Sequence, residues 1–170
     1  MKNISVLFSL FLALIFTSCN TVSVATDFDK SANFNVYKTY TYHQKGLDKL
    51  AINDLDKRRI IDAIDKEMAS KGFTKVTTDA DLILNVLTSS SKELNVNNDW
   101  YGYYGYWGGY PSVSEYTSGK IIIDIVDDKR NILVWQGVGS GLNLNNISAK
   151  AERIPQAINE ILVKFPPQAK

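Results

Sequence analysis

Hydrophobic and polar positions alternate along this chain in clearly different rhythms, and the rhythms predict its elements. Residues 4–16 (ISVLFSLFLALIF) form an apolar run, preceded by Lys2 and followed by Thr17-Ser18-Cys19. Such a run is too short to span a bilayer core and has the layout of a secretory signal. Val22, Val24 and Thr26 then alternate with Ser23, Ala25 and Asp27, the period of a strand. Tyr37–Tyr42, rich in Tyr and Thr, predicts a second strand. Ile60, Ile61, Ile64 and Met68 mark one face of a helix, with Asn53 or Asp54 as its cap, Asp56 in its first turn and Gly72 at its end. Phe73–Val76 and Asp81–Ser89 return to strand periodicity.

Lys120–Val126 and Ile132–Gly139 predict a hairpin around the polar loop Asp127–Asn131. Pairing symmetric about Lys129 would set Ile123 opposite Trp135 and Ile125 opposite Leu133 on the core face, with Ile122, Asp124, Val134 and Gln136 on the other. Ile154, Ile158, Ile161, Leu162 and Phe165 mark a last helix that Pro166-Pro167 stops, with Pro155 in its first turn or at a kink. The order is two strands, helix, four strands, helix. Both helices have one apolar face, so the fold class is α+β: a two-layer sandwich, a mainly antiparallel sheet of about six strands with two helices on one face.

Cys19 is the only cysteine of 170 residues, so no intrachain disulfide can form. Phe16-Thr17-Ser18-Cys19 resembles a bacterial lipobox, in which the cysteine sulfur is lipidated and the signal is cut before it. The alternatives are secretion with a spare thiol and a buried small hydrophobe. The resemblance implies a signal peptide over residues 1–18 and a mature lipoprotein over 19–170. Its partner would be a membrane, held through lipidated Cys19 by two or three acyl chains. Asn20 after the cysteine favours the outer membrane by resemblance to known sorting behaviour, and the periplasmic leaflet is the expected face.

The mature 152 residues are the size of one domain. Only Lys2 of the 19 basic side chains leaves with the signal, so 18 basic residues face 18 acidic ones. That balance argues against nucleic acid as a partner and provides no polybasic patch for anionic lipid.

The segment of about residues 97–112 is aromatic and glycine-rich. Trp100, Tyr101, Tyr103, Tyr104, Tyr106, Trp107 and Tyr110 suit stacking on sugars, contact with a protein, or a position at headgroup depth. The plainer alternative is a low-complexity loop folded over the sheet's open face. Asp79, Asp81, Asp124, Asp127 and Asp128 are oxygen donors without the spacing of a cation loop, so no metal site is expected; Asp127 and Asp128 read as turn formers and Asp79 as a strand-start residue. His43, the sole histidine, reads as a solvated residue at a strand end. Ser89-Ser90-Ser91 and Ser140 lack a nucleophile elbow. Gly137-Val138-Gly139-Ser140-Gly141 lacks the spacing and following helix of a dinucleotide loop and reads as a bulge or bend; no cofactor is expected.

Several stretches carry a family resemblance together: Val36-Tyr37-Lys38-Thr39-Tyr40, Gly72-Phe73, Asp79-Ala80-Asp81-Leu82, Gly119–Asp127, Leu133-Val134-Trp135-Gln136-Gly137 and Phe165-Pro166-Pro167. Their order resembles the bacterial lipoprotein family with domain of unknown function 4136, over about Val22 to Pro167. The resemblance implies an envelope lipoprotein with one α+β domain and brings no catalytic residues or ligand. The functional expectation is a membrane-anchored, non-enzymatic binding or accessory module whose partner is an envelope protein or glycan. The alternative is a hydrolase of envelope glycans using Asp79, Asp81 or Asp124 as acid or base.

Overall fold

In the computed structural model, residues 22–97 and 112–167 are described. The strands are β1 (Ser23–Phe28), β2 (Thr39–Tyr42), β3 (Thr74–Lys75), β4 (Leu82–Asn97), β5 (Ser112–Asp127) and β6 (Ile132–Asn143). The helices are α1 (Gln44–Asp48), α2 (Asp54–Ser70) and α3 (Ile147–Leu162). The fold is α+β, built on one six-stranded sheet in the order β1-β6-β5-β4-β2-β3. β1, β6, β5 and β4 pair antiparallel, whereas β2 runs parallel to both β3 and β4. Parallel strands need a long crossover, and α1 with α2 supplies it between β2 and β3. The short α1, which strand and helix periodicity did not predict, follows β2 and lays Gly46 against the Asn85 side chain.

α2 starts where expected. Asn53 accepts from the backbone N–H of Asp56 at 2.9 Å. It ends in a Schellman turn: Gly72 takes φ +84°, Gly72 N–H donates to Ala69 O and Phe73 N–H to Met68 O. α3 begins earlier than the apolar stripe suggested, because Asn146 caps it by accepting from Ala149 N–H at 3.1 Å. Pro155 therefore lies inside the helix, not in its first turn. The two long helices touch, with Asn159 Nδ2 donating to Glu67 Oε1 at 2.9 Å. Their buried faces (Ile60, Ile64 and Met68; Ile154, Ile158 and Ile161) share one core with Leu82, Leu84, Val86, Ile121, Ile123, Ile125 and Trp135.

The hairpin is real but its predicted register is not. Its loop is the four residues Asp128–Asn131, so Asp127 pairs with Ile132 and Val126 with Leu133. Asn131, at φ 54°, accepts the left-handed conformation that closes the turn. A bulge follows: Ile125 pairs with Trp135 and Ile123 with Gly137, leaving Val134 as the extra residue. Two consecutive residues, Val134 and Trp135, are thereby buried, while Leu133 is 49% exposed. A second extra residue is Gly141, between the pairs Lys120–Ser140 and Gly119–Leu142, at φ +89°. The expectation that the glycine run marks a bulge holds there.

Gly137 and Gly139 serve a different need, close approach of α3. A methyl at Gly139 would meet Ile161 Cδ1 at 2.7 Å, and one at Gly137 would overlap Trp135 and Ile161. Gly139→Ala should therefore lower stability by about 1–3 kcal/mol, read as a fall in the urea midpoint. Adding Ile161→Val, which removes the offending Cδ1, should recover part of that loss.

β4 and β5 run well past the strands expected at Asp81–Ser89 and Lys120–Val126. Beyond Ser91↔Ser118 they continue as a two-stranded ribbon to Asn97↔Ser112. The polar stretch Ser89–Glu93 has no apolar alternation to announce a strand, and the backbone ladder carries it instead.

Candidate functional site

A cleft of about 300 Å³ opens between the starts of α2 and α3 and the sheet, beside the root of the ribbon. Thr88 and Ile121, paired across β4 and β5, line its sheet side with Leu142 of β6. Ile60 of α2 and Ile154 of α3 provide helical walls, and Leu144 lies after β6. These aliphatic residues are core-facing positions of their elements, and Asn53, Ser89, Ser90 and Lys120 add a polar part to the lining.

Three charged residues line the cleft, Asp56, Lys120 and Lys150, and Asp56 is the buried one. Asp56 is buried to within 6% and accepts from Arg59 Nη1 at 2.6 Å, Asn53 Nδ2 at 2.8 Å and Lys150 Nζ at 3.3 Å. Burial alone would raise its pKa; the three donors outweigh burial and hold the carboxyl below its usual range. Thr88 Oγ1 is buried without a hydrogen-bond partner among the described residues. The sequence marks Asp56 only as a helix-dipole partner and does not single out Thr88 or Lys150. The one available signal was a lysine in the first turns of a helix whose first turn holds no acid.

Asp81, Asp127 and Asp128 are neighbours at the hairpin end, where Asp128 N–H donates to Asp81 O and Leu82 pairs with Asp127. Asp81 Oδ2 accepts from Lys38 N–H at 2.8 Å, Thr39 N–H at 3.0 Å and Thr39 Oγ1 at 3.1 Å. The Lys38 bond, against a burial penalty and with help from Thr39, lowers its pKa. Asp127 does more than form a turn. It is buried and accepts from Tyr37 Oη at 2.7 Å and from Arg130 N–H and Nε at 2.8 and 2.9 Å. Burial pushes its pKa up, yet these donors bring it below the ordinary value. Asp124 accepts from Gln136 Nε2 at 2.7 Å. Asp79 stands before β4 at φ 52°, and Asp128 in the hairpin turn. A general acid needs a raised carboxyl, whereas the bonds from Lys38 and Thr39 lower that of Asp81. Among the described residues no group of three or more His, Cys, Asp or Glu side chains gathers as a metal would require.

His43 is exposed at the end of β2, its Nδ1 3.4 Å from Asn85 Oδ1. Next to it a polar cluster ties β2 to α2. Tyr40 and Tyr42 both donate to Asp65 Oδ1 at 2.8 Å, and Lys75 Nζ donates to Asp65 Oδ2 at 2.8 Å. Burial, then the Asp65 bond, raises both phenols. Cys19 and the seven aromatics Trp100, Tyr101, Tyr103, Tyr104, Tyr106, Trp107 and Tyr110 lie outside the described residues. None of the described helices is long and apolar enough to cross a membrane.

Comparison with known proteins places the fold. A PDZ domain protein from Parabacteroides distasonis is 15% identical with a TM-score of 0.52; the match covers 95% of this chain, which spans only 40% of that one. A neuraminyllactose-binding hemagglutinin homolog from Helicobacter pylori is 14% identical with a TM-score of 0.50, over 83% of this chain and 89% of its own. At such identities the likeness concerns the fold alone. No curated protein sequence matches the chain. The profile of the family described as domain of unknown function (DUF4136) matches residues 24–167, nearly the whole described domain, and the chain belongs to that family.

Proposed function

We propose that this chain is a non-enzymatic binding module of the Gram-negative cell envelope, tethered by lipidated Cys19 to the periplasmic leaflet of the outer membrane. Its aromatic segment, Trp100 to Tyr110, contacts an envelope protein or glycan. The observation that carries this reading is a shared direction. Ser23 at the start of β1 pairs with Ser140, near the end of β6, and Asn143 at that end pairs with Ser118, where the ribbon departs. β1 thus starts, and the ribbon departs, at the same end of the sheet. Cys19 is three residues before Val22, within about 11 Å of it even if fully extended. The ribbon from Ser91 to Asn97 runs about 20 Å further in that direction. An anchored domain would therefore hold segment 98–111 toward its own membrane, where partially polar rings are favoured.

The lowered carboxyl of Asp81 does not suit the general acid of a hydrolase, which favours binding. The test has two arms. Cys19→Ala in the full chain should move the protein from the membrane fraction to the soluble fraction; unchanged membrane flotation defeats the anchor. Changing the seven aromatics to Ser in the anchored protein should abolish crosslinked capture of an envelope component. Undiminished capture defeats the role of the segment.

A further inference from the structure

We propose that the cleft between α2, α3 and the sheet takes a single-chain anionic amphiphile, a fatty acid, with its chain against the aliphatic wall and its carboxylate on Lys150. The inference deepens the binding-module reading and rests on it. Four observations lead there.

The apolar part of the lining is branched aliphatic, made by Ile60, Ile121, Leu142, Leu144 and Ile154, with Ser89, Ser90 and Lys120 on its polar part, and no aromatic ring of the described residues lines it. A sugar would find no stacking platform, whereas an alkyl chain gains from burying its CH₂ groups. The volume of about 300 Å³ lies at the small end of ligand pockets.

The charge is unbalanced in favour of an anion. Asp56 alone is shared by two cations, Arg59 and Lys150. One positive charge is left over, the exposed Lys120 adds another on the lining, and the Lys150 side chain is only 18% exposed, so solvent screens it weakly. A ligand carboxylate would give Lys150 an acceptor of its own and leave Asp56 to Arg59.

Both long helices begin at the cleft, and their N-termini carry partial positive charge. α2 answers its own with Asp54 and Asp56 in the first turn; α3 has no acid there. An anion beside Lys150 would complement the start of α3.

The fourth observation is the orphaned hydroxyl of Thr88, buried on a residue that lines the cleft. Buried hydroxyls are ordinarily bonded. Rotation about χ1 carries the hydroxyl to another staggered position, from which it would donate to the carboxylate. The cleft also lies at the sheet end from which β1 starts, so an anchored domain would present it to the membrane side, where fatty acids partition.

The test is calorimetric titration of dodecanoate, below its micellar concentration, into the full chain carrying Cys19→Ala so that no anchor competes. One dodecanoate should bind per chain. Lys150→Met should weaken it at least tenfold and bring its Kd to that of neutral dodecanol. Leu144→Trp, which fills the cleft, should abolish binding. Thr88→Val should weaken dodecanoate severalfold without lowering Tm, which separates a lost contact from a lost fold. Absence of dodecanoate binding, equal affinity after Leu144→Trp, or dodecanol binding as tightly as dodecanoate each overturns the proposal. If dodecanoate fails while aromatic-dependent capture from membranes persists, the ligand assignment falls alone; if both fail, the binding-module reading falls with it.

Discussion

Trp135→Ala should cost about 3–5 kcal/mol, the largest loss from any single truncation in this domain. Domains of this size have about 5–15 kcal/mol in total, so the variant should sit near the edge of unfolding. Trp135 is 1% exposed and buried by the bulge that also turns Val134 inward. Its ring lies 5.3 Å from Phe165, which in turn lies 5.4 Å from Phe73 and 6.0 Å from Phe34. Removing the indole opens a cavity that these rings cannot fill, because Gly137 and Ile161 already press against the other side. Trp135→Phe should be far milder. It keeps much of the volume and discards an indole N–H that is buried without an acceptor among the described residues. Urea unfolding with an unchanged slope measures both. A Trp135→Ala loss below about 1 kcal/mol would show that the core is not organised around this ring.

Asp127→Ala should cost about 2–4 kcal/mol and also blunt the acid sensitivity of the fold. The carboxylate gathers Tyr37 from before β2 and Arg130 from the hairpin turn onto one buried point, and Arg130 Nη2 closes the triangle by donating to Tyr37 Oη at 2.8 Å. Tyr37 is 5% exposed, so its hydroxyl would be stranded. Arg130 is 46% exposed at its side chain and can turn to water, which keeps the cost at the lower part of the range for a buried pair.

The pH dependence follows from the sign of the shift. An unfolded aspartate titrates near 3.9. The folded Asp127 lies below that, so its stabilisation is complete above about pH 4 and is lost as pH falls through the folded value. Asp56 and Asp81 are lowered too and act in the same window. Asp127→Asn should therefore flatten, not abolish, the acid limb of Tm against pH. An acid limb identical to that of the unaltered chain would remove Asp127 from this role. At the alkaline end Tyr37, Tyr40 and Tyr42 have raised values, so their contribution is complete below about pH 10 and lost above it.

Legibility in the sequence followed burial. α2 could be read with its cap and its glycine stop because local chemistry fixes both ends. The buried positions of β5, Ile123 and Ile125, could be read because alternation reports a one-sided core. The hairpin register could not, since one extra residue at Val134 reverses the facing of Leu133 and has no periodic signature. Asp127 was legible as a turn former and not as a buried acceptor, because its donors come from positions 37 and 130. The cleft was invisible for the same reason: residues 56, 88, 121, 142 and 150 have no neighbourhood in the chain.

By itself, then, the sequence determined the α+β class and the membership of helix and strand faces in one core, and residues 1–19 raise the expectation of an envelope address. Those properties depend on short-range periodicity and on covalent motifs. Only the tertiary structure decided the sheet order, the parallel placement of β2, the bulges, and the meeting of Asp56, Lys150 and Thr88 at an aliphatic cleft. These depend on which distant residues pack together, and packing is settled by the shape of the whole core.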